Sequence, residues 1–175
     1  MTIARRAALV LQREAASVPL PPGQVVGLVL DVVLGRLYPT RVAPMRGMRR
    51  IAGVIVVAAG VGVTAWAVAE RRRHTKGNFV LGRPEELVTS GPYAASRHPM
   101  YLGWWLIHAG VAIFRGSSWA LATLPAGILV EHLGALWEEK VLLEEFGPTY
   151  AEYMQAVPRY VGNPVSRRMR VDEAR

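Results

Sequence analysis

The chain has 175 residues, a net charge of +8 and a mean hydropathy of +0.21. A positive mean hydropathy beside an excess of basic residues requires apolar runs set apart from charged ones, as in membrane proteins. Disordered and collagen-like chains are excluded on composition. The lack of cysteine excludes disulfides, thiolate catalysis and cysteine-ligated zinc. Apolar runs of membrane length also argue against a nucleic-acid binder.

Residues 1–18 read as a basic arm or an interfacial helix. Arg5 and Arg6 precede only the short apolar stretch Ala7–Leu11, too brief for the core of a signal peptide. A weak span follows at Pro22–Tyr38, interrupted by Asp31 and Arg36; ionisable groups in such a position face the bundle interior or reach the interface. Ile51–Ala69 is the clearest span, about 19 residues without a formal charge, close to the ~20 that cross a bilayer. Its Gly53, Gly60 and Gly62 suit close helix packing in lipid. Two further runs, Pro99–Phe114 and Gly116–Val130, are split by Arg115 and read as a helical hairpin turning at residues 115–118, with the second run extended through Leu133, Leu136 and Trp137.

The fold expected is therefore an all-α membrane protein of about four transmembrane helices, including a C-terminal helical hairpin. It forms a single integral membrane domain over 1–175: the arm, membrane helices and a catalytic loop over 22–137, and a cytoplasmic tail over 138–175. With four spans, the basic residues place the 71–98 loop and the tail in the cytoplasm. Three spans would instead put the Arg41–Arg50 cluster inside and the long loop outside.

Two motifs invite over-reading. Gly60–Ala65 matches the dinucleotide pattern G-x-G-x-x-A, but it lies within a span and lacks the strand and helix that pattern needs. His74, His98, His108 and His132 have no zinc-site spacing, so no metal is expected, and His108 reads as a buried or pore-facing polar residue. Glu138 and Glu139 are more informative. They follow Leu136–Trp137 where the span meets water, so they need a cationic partner, either an arginine or a ligand ammonium. Glu144 and Glu145 read as a solvated face.

The segment Leu87–Gly103 carries a Gly91–Pro92 turn signal and a helix start at His98–Pro99. Tyr101 falls on the His98 face by i,i+3 spacing. An interfacial anchor of arginine and aromatic residues explains this pattern as well as a site does.

This segment resembles the signature of the isoprenylcysteine carboxyl methyltransferase and phospholipid methyltransferase superfamily, roughly G-P-Y-x-x-x-R-H-P-x-Y-x-G. The second part of that signature, E-E-x-x-L-x-x-x-F-G-x-x-Y-x-x-Y, is matched at Glu138–Tyr153. The resemblance covers roughly residues 78–159. It implies an integral membrane enzyme of the cytoplasmic membrane that uses S-adenosylmethionine (SAM), with its cofactor site built from the loop before the hairpin and the tail after it. Leu87, Val88, Gly91, Tyr93, His98, Tyr101, Glu138 and Glu139 would bind the cofactor, and Arg97, Glu139 and Arg159 would act on the acceptor. That acceptor would be a lipophilic small molecule or membrane lipid, either an isoprenoid-like carboxylate or an amine, entering past Trp104 and Trp105. Val157–Pro164 fits the family pattern loosely, and the chain is short for enzymes acting on prenylated proteins. The competing readings are an NADPH-dependent sterol-type membrane reductase and a non-catalytic membrane protein that keeps the fold.

Overall fold

Glycines decide which helices meet. In the computed structural model, which describes residues 21–39, 45–75 and 86–162, the clearest apolar run lies within a helix, α2, over Arg46–Arg73. Gly53 and Gly60 are seven residues apart and therefore share one face. Both are buried, as are Gly103 and Gly110 of α3 (Pro99–Arg115). A Cβ at Gly60 would lie 2.5 Å from the Gly103 carbonyl oxygen and 2.8 Å from the Ile107 amide. A Cβ at Gly110 would lie 2.7 Å from the Val57 amide. The backbones of α2 and α3 thus touch directly, which is how helices gain packing energy where lipid supplies no hydrophobic drive. Gly62 lies on another face, with nothing within 4 Å of a Cβ placed there.

The remaining helices are α1 (Pro22–Leu37) and α4 (Ala120–Ala156), with a short 3₁₀ turn at Gly91–Ala94 between α2 and α3. There is no strand among the described residues, so the all-α expectation holds. Among the described residues two helices, α2 and α4, are long and apolar enough to cross a membrane. At 16 residues, α1 spans only ~24 Å at 1.5 Å per residue, less than the hydrocarbon thickness. The arm over residues 1–18 lies outside the described residues.

The expected turn between α3 and α4 is present. Gly116 takes a left-handed conformation (φ 63°) and ends α3, its amide bonding the Ile113 carbonyl. The two arms pair less than a hairpin implies: α3 packs chiefly on α2, and α4 chiefly on α1. Glycines shape the second pair as well, since a Cβ at Gly23 would lie 2.7 Å from the Gly127 carbonyl oxygen.

Two polar residues of α1, Gln24 and Asp31, face inward. Asp31 is fully buried, accepts a hydrogen bond from the Ser117 hydroxyl at 2.5 Å and lies 3.6 Å from Arg115 Nε. Arg36 stays exposed in the last turn. His108 is buried between Gln24 Oε1 and the Thr123 hydroxyl. The tail begins without a break, as α4 runs past Glu138 until Gly147 (φ 53°, ψ −128°) interrupts it and Pro148 starts a new helical stretch.

Gly60→Leu should lower the unfolding midpoint in detergent by the equivalent of ~1–3 kcal/mol, because the α2–α3 seam must part. Gly62→Leu should leave the midpoint unchanged.

Candidate active site

His98 stands at the N-terminal boundary of α3, and Pro99 occupies the first helical position, where its missing N–H costs nothing. The preceding residues are tied to the segment that follows α4. The Arg97 amide donates to the Pro158 carbonyl (3.0 Å), the His98 amide to the Arg159 carbonyl (3.2 Å), and the Ser96 hydroxyl also to the Arg159 carbonyl (3.0 Å). Loop and tail, far apart in sequence, are therefore one structural unit.

Glu139 lies at its centre, 4% exposed. Its Oε1 accepts from Arg97 Nε at 3.0 Å and Arg159 Nε at 2.9 Å, with His98 Nε2 at 3.2 Å. Its Oε2 accepts from Arg159 Nη2 at 2.6 Å. The second guanidinium edge of Arg97 reaches the Met154 and Val157 carbonyls, both at 2.8 Å, where the last turn of α4 leaves acceptors free. Glu139 thus has cationic partners on two sides, as a buried carboxylate requires. Its hydrogen bonds push the Arg159 guanidinium above its ordinary value.

Glu138 is different. Its side chain is 36% exposed, accepts from the Tyr101 hydroxyl at 3.3 Å and lies 3.7 Å from His98 Nδ1. Tyr101 stacks on His98 with ring centroids 5.3 Å apart and planes 13° from parallel. His98 therefore stands between the two glutamates, and the i,i+3 pairing expected from the sequence is present.

A small cavity of about 40 Å³ adjoins this cluster, lined by Arg71, Leu87, Val88, Tyr93, Arg97, Glu138, Leu142, Tyr150 and Tyr153. Tyr93 is buried, and no hydrogen-bond partner meets its hydroxyl. Burial pushes the phenol up to about 12, with Arg71 opposing part of the shift, so it remains a neutral donor at physiological pH. The Tyr153 hydroxyl donates to the Tyr93 carbonyl at 2.7 Å and holds the 3₁₀ turn against α4. Gly91 opens that turn at φ 58°, and a Cβ there would meet the Glu70 carboxyl carbon at 2.9 Å. Glu70 accepts from the Ser90 hydroxyl at 2.6 Å and so fastens the turn to the end of α2.

Of the residues singled out from the sequence, Leu87, Val88, Tyr93, Arg97 and Glu138 line the cavity. His98, Tyr101, Glu139 and Arg159 form the adjoining polar cluster, and Gly91 shapes the wall from behind. Leu142, Tyr150 and Tyr153 are signature positions whose place in the cavity wall only the structure shows, and Glu70 and Arg71 emerge from the structure alone. The two adjacent tryptophans also part company. Trp104 lines an apolar groove of about 520 Å³ on the outer face of α2 and α3, with Val61, Thr64, Val68, Arg72 and Ile107. Trp105 turns inward and donates to Glu131 Oε2 at 2.5 Å. No group of His, Asp and Glu among the described residues is arranged to hold a metal.

These features define an α-helical membrane protein whose polar site lies where a spanning helix, the loop before α3 and the segment after α4 converge. Residues 48–149 match the phospholipid methyltransferase family model, and the chain belongs to that family. No curated protein matches the chain significantly.

Replacing Glu139 with Ala should destabilise the fold by ~3–5 kcal/mol, the usual cost of breaking a buried ion pair and stranding its partner. Thermal unfolding in detergent reads this directly. Glu138→Ala should shift the midpoint much less.

Proposed function

We propose that this protein transfers a methyl group from SAM to a lipophilic acceptor at the cytoplasmic membrane surface. The observation that carries the reading is the joint at Glu139, which brings both halves of the signature motif together beside a cavity of mixed chemistry. The wall chemistry suits the cofactor. Glu138 is a half-exposed carboxylate able to take an ammonium, and Arg71 is a buried guanidinium able to take a carboxylate. Leu87, Val88 and Leu142 offer an apolar surface to a purine, and the unpartnered Tyr93 hydroxyl offers a hydrogen bond. At about 40 Å³ the cavity holds little more than water, so its walls must part on binding. Leu87 and Val88 belong to a stretch of the wall that lies outside any helix.

The cofactor supplies an electrophilic methyl on a sulfonium. The protein's share is alignment and exclusion of water, since in-line displacement between positioned partners needs little else. His98 and Tyr101 are stacked and held by the two glutamates, so they form a rigid wall. Arg97 and Glu139 keep the tail closed over it. The groove beside Trp104 suits an apolar chain lying against α2 and α3, with Arg72 at its polar end. A carboxylate acceptor would need an arginine to orient it, for which Arg97 and Arg159 are placed. An amine acceptor would need a base.

The test is transfer of labelled methyl from SAM into a lipid extract by the protein in detergent. Wild type should label an extractable lipid, and His98→Ala and Glu138→Ala should lower the rate by ~100-fold or more, the loss expected of positioning groups. Unchanged rates in both variants would overturn the site assignment, and no labelled lipid would overturn the activity.

A further inference from the structure

Arg46, Arg49 and Arg50 all fall within the first five residues of α2. Cations there oppose the helix, because its N-terminal end carries partial positive charge and its leading amides have no acceptor within the helix. Nothing in α2 offsets this: the first turn holds no acid, and Met45, just before it, makes no side-chain cap. The other end of α2 obeys the rule, with Arg71, Arg72 and Arg73 in the last turn.

The neighbouring elements add cations rather than anions. The Arg49 guanidinium packs on the backbone of Gly116, where a Cβ would overlap it. Arg50 lies over the Phe114 ring, 6.0 Å from its centroid. Arg115 reaches across to α1, where its Nη2 donates to the Val32 carbonyl at 3.5 Å, and Arg36 follows one turn later on α1, exposed. Asp31 is the one acid over residues 15–69, and residues 87–130 hold none. Asp31 is fully buried and already engaged by Arg115 and Ser117, so it cannot answer the arginines of α2.

This end of the bundle carries the marks of head-group depth. The Tyr38 and Trp119 rings lie 6.3 Å apart beside it, and the indole N–H donates to the Tyr38 carbonyl at 3.0 Å; such aromatic residues settle at the membrane–water interface. Leu37, Met45, Met48 and Ile51 are all more than half exposed. A ligand that joins an anion to apolar chains answers both the charge and the exposed apolar surface. Arg46 lies ~36 Å along α2 from Glu70, which fastens the 3₁₀ turn of the cofactor cavity, so the two regions are separate.

We propose that the first turn of α2 is a phosphate-binding site for an acidic phospholipid, held by Arg46, Arg49 and Arg50 at the end of the bundle remote from the cofactor cavity. The leading amides and the guanidinium groups take the phosphate oxygens, and the acyl chains lie along Met48 and Ile51. A phospholipid whose head group carries its own ammonium brings no net charge and is held less tightly. The lipid is bound there and not methylated, so the proposal goes beyond the methyl-transfer reading and does not depend on it.

The experiment is calorimetric titration of the full chain in maltoside micelles with dihexanoyl phosphatidylglycerol, with dihexanoyl phosphatidylcholine and with inorganic phosphate. Wild type should bind the acidic lipid at least ~10-fold more tightly than either of the others, the scale that two arginines add near an anionic head group. Substituting the two exposed side chains together, Arg46→Gln and Arg50→Gln, should remove that preference. The pair Arg73→Gln and Lys140→Gln takes the same charge from the other end of the molecule and should keep it, which separates a site from the pull of net charge. Equal binding of the two lipids, binding of neither, or phosphate bound as tightly as the acidic lipid would overturn the proposal. So would a preference that survives in the first pair or vanishes in the second. The wild-type comparison needs no variant, and Arg46→Gln alone repeats the test if the first pair does not fold.

Discussion

The structure depends on one buried carboxylate. Glu139 sits at the polar end of a membrane helix, where an unpaired charge would be expelled or neutralised. It is held there by Arg97 and Arg159, one from the loop before α3 and one from the segment after α4. The same Arg97 caps the last carbonyls of α4, so a single guanidinium closes the tail and balances the charge. Removing Glu139 would leave two guanidinium groups facing each other and loosen the loop and the tail together. His98 and Tyr101 owe their positions to this arrangement, because they stand against carboxylates that would otherwise be free to turn.

The membrane portion serves the joint by holding its helices at fixed separation. The glycine seam between α2 and α3 brings the end of α2 beside the 3₁₀ turn, where Glu70 and Arg71 meet Ser90 and Tyr93. Small residues also bring α1 against α4, and that contact encloses Gln24, His108 and Glu131 in the bundle. Polar residues in the two layers therefore do different things. Those around Glu139 join the loop before α3 to the segment after α4, and those around Glu131 lie about two turns away along α4, with Tyr160 between.

The motif residues were legible in the sequence because their constraints are local. A proline after His98 marks a helix start, the i,i+3 spacing places Tyr101 on His98, and a glutamate pair at the end of an apolar run demands cations. The length of α2 and the turn at Gly116 follow from charge-free stretch and glycine in the same way. The choice of helix partners did not follow. Two consecutive apolar runs suggest a paired hairpin, yet α3 packs on α2, because backbone approach is set by glycines that face each other across helices far apart in sequence. Gly62 shows the limit of reading small residues alone: it lies two positions from Gly60 and turns away from the seam. Arg71 was hidden in a run of three arginines, where only the helical phase set by Ala67 distinguishes the inward one. Trp104 and Trp105 are alike in sequence and opposite in direction for the same reason.

The central claim is that the joined loop and tail form a cofactor site, and the most direct test is calorimetric binding of SAM and S-adenosylhomocysteine to the detergent-purified wild-type protein, with NADPH as the parallel ligand. The account predicts that both adenosyl ligands bind with micromolar affinity and that NADPH does not. Binding of NADPH without SAM would make the protein a reductase of similar fold, and binding of none of the three by a folded sample would contradict the assignment of a cofactor site.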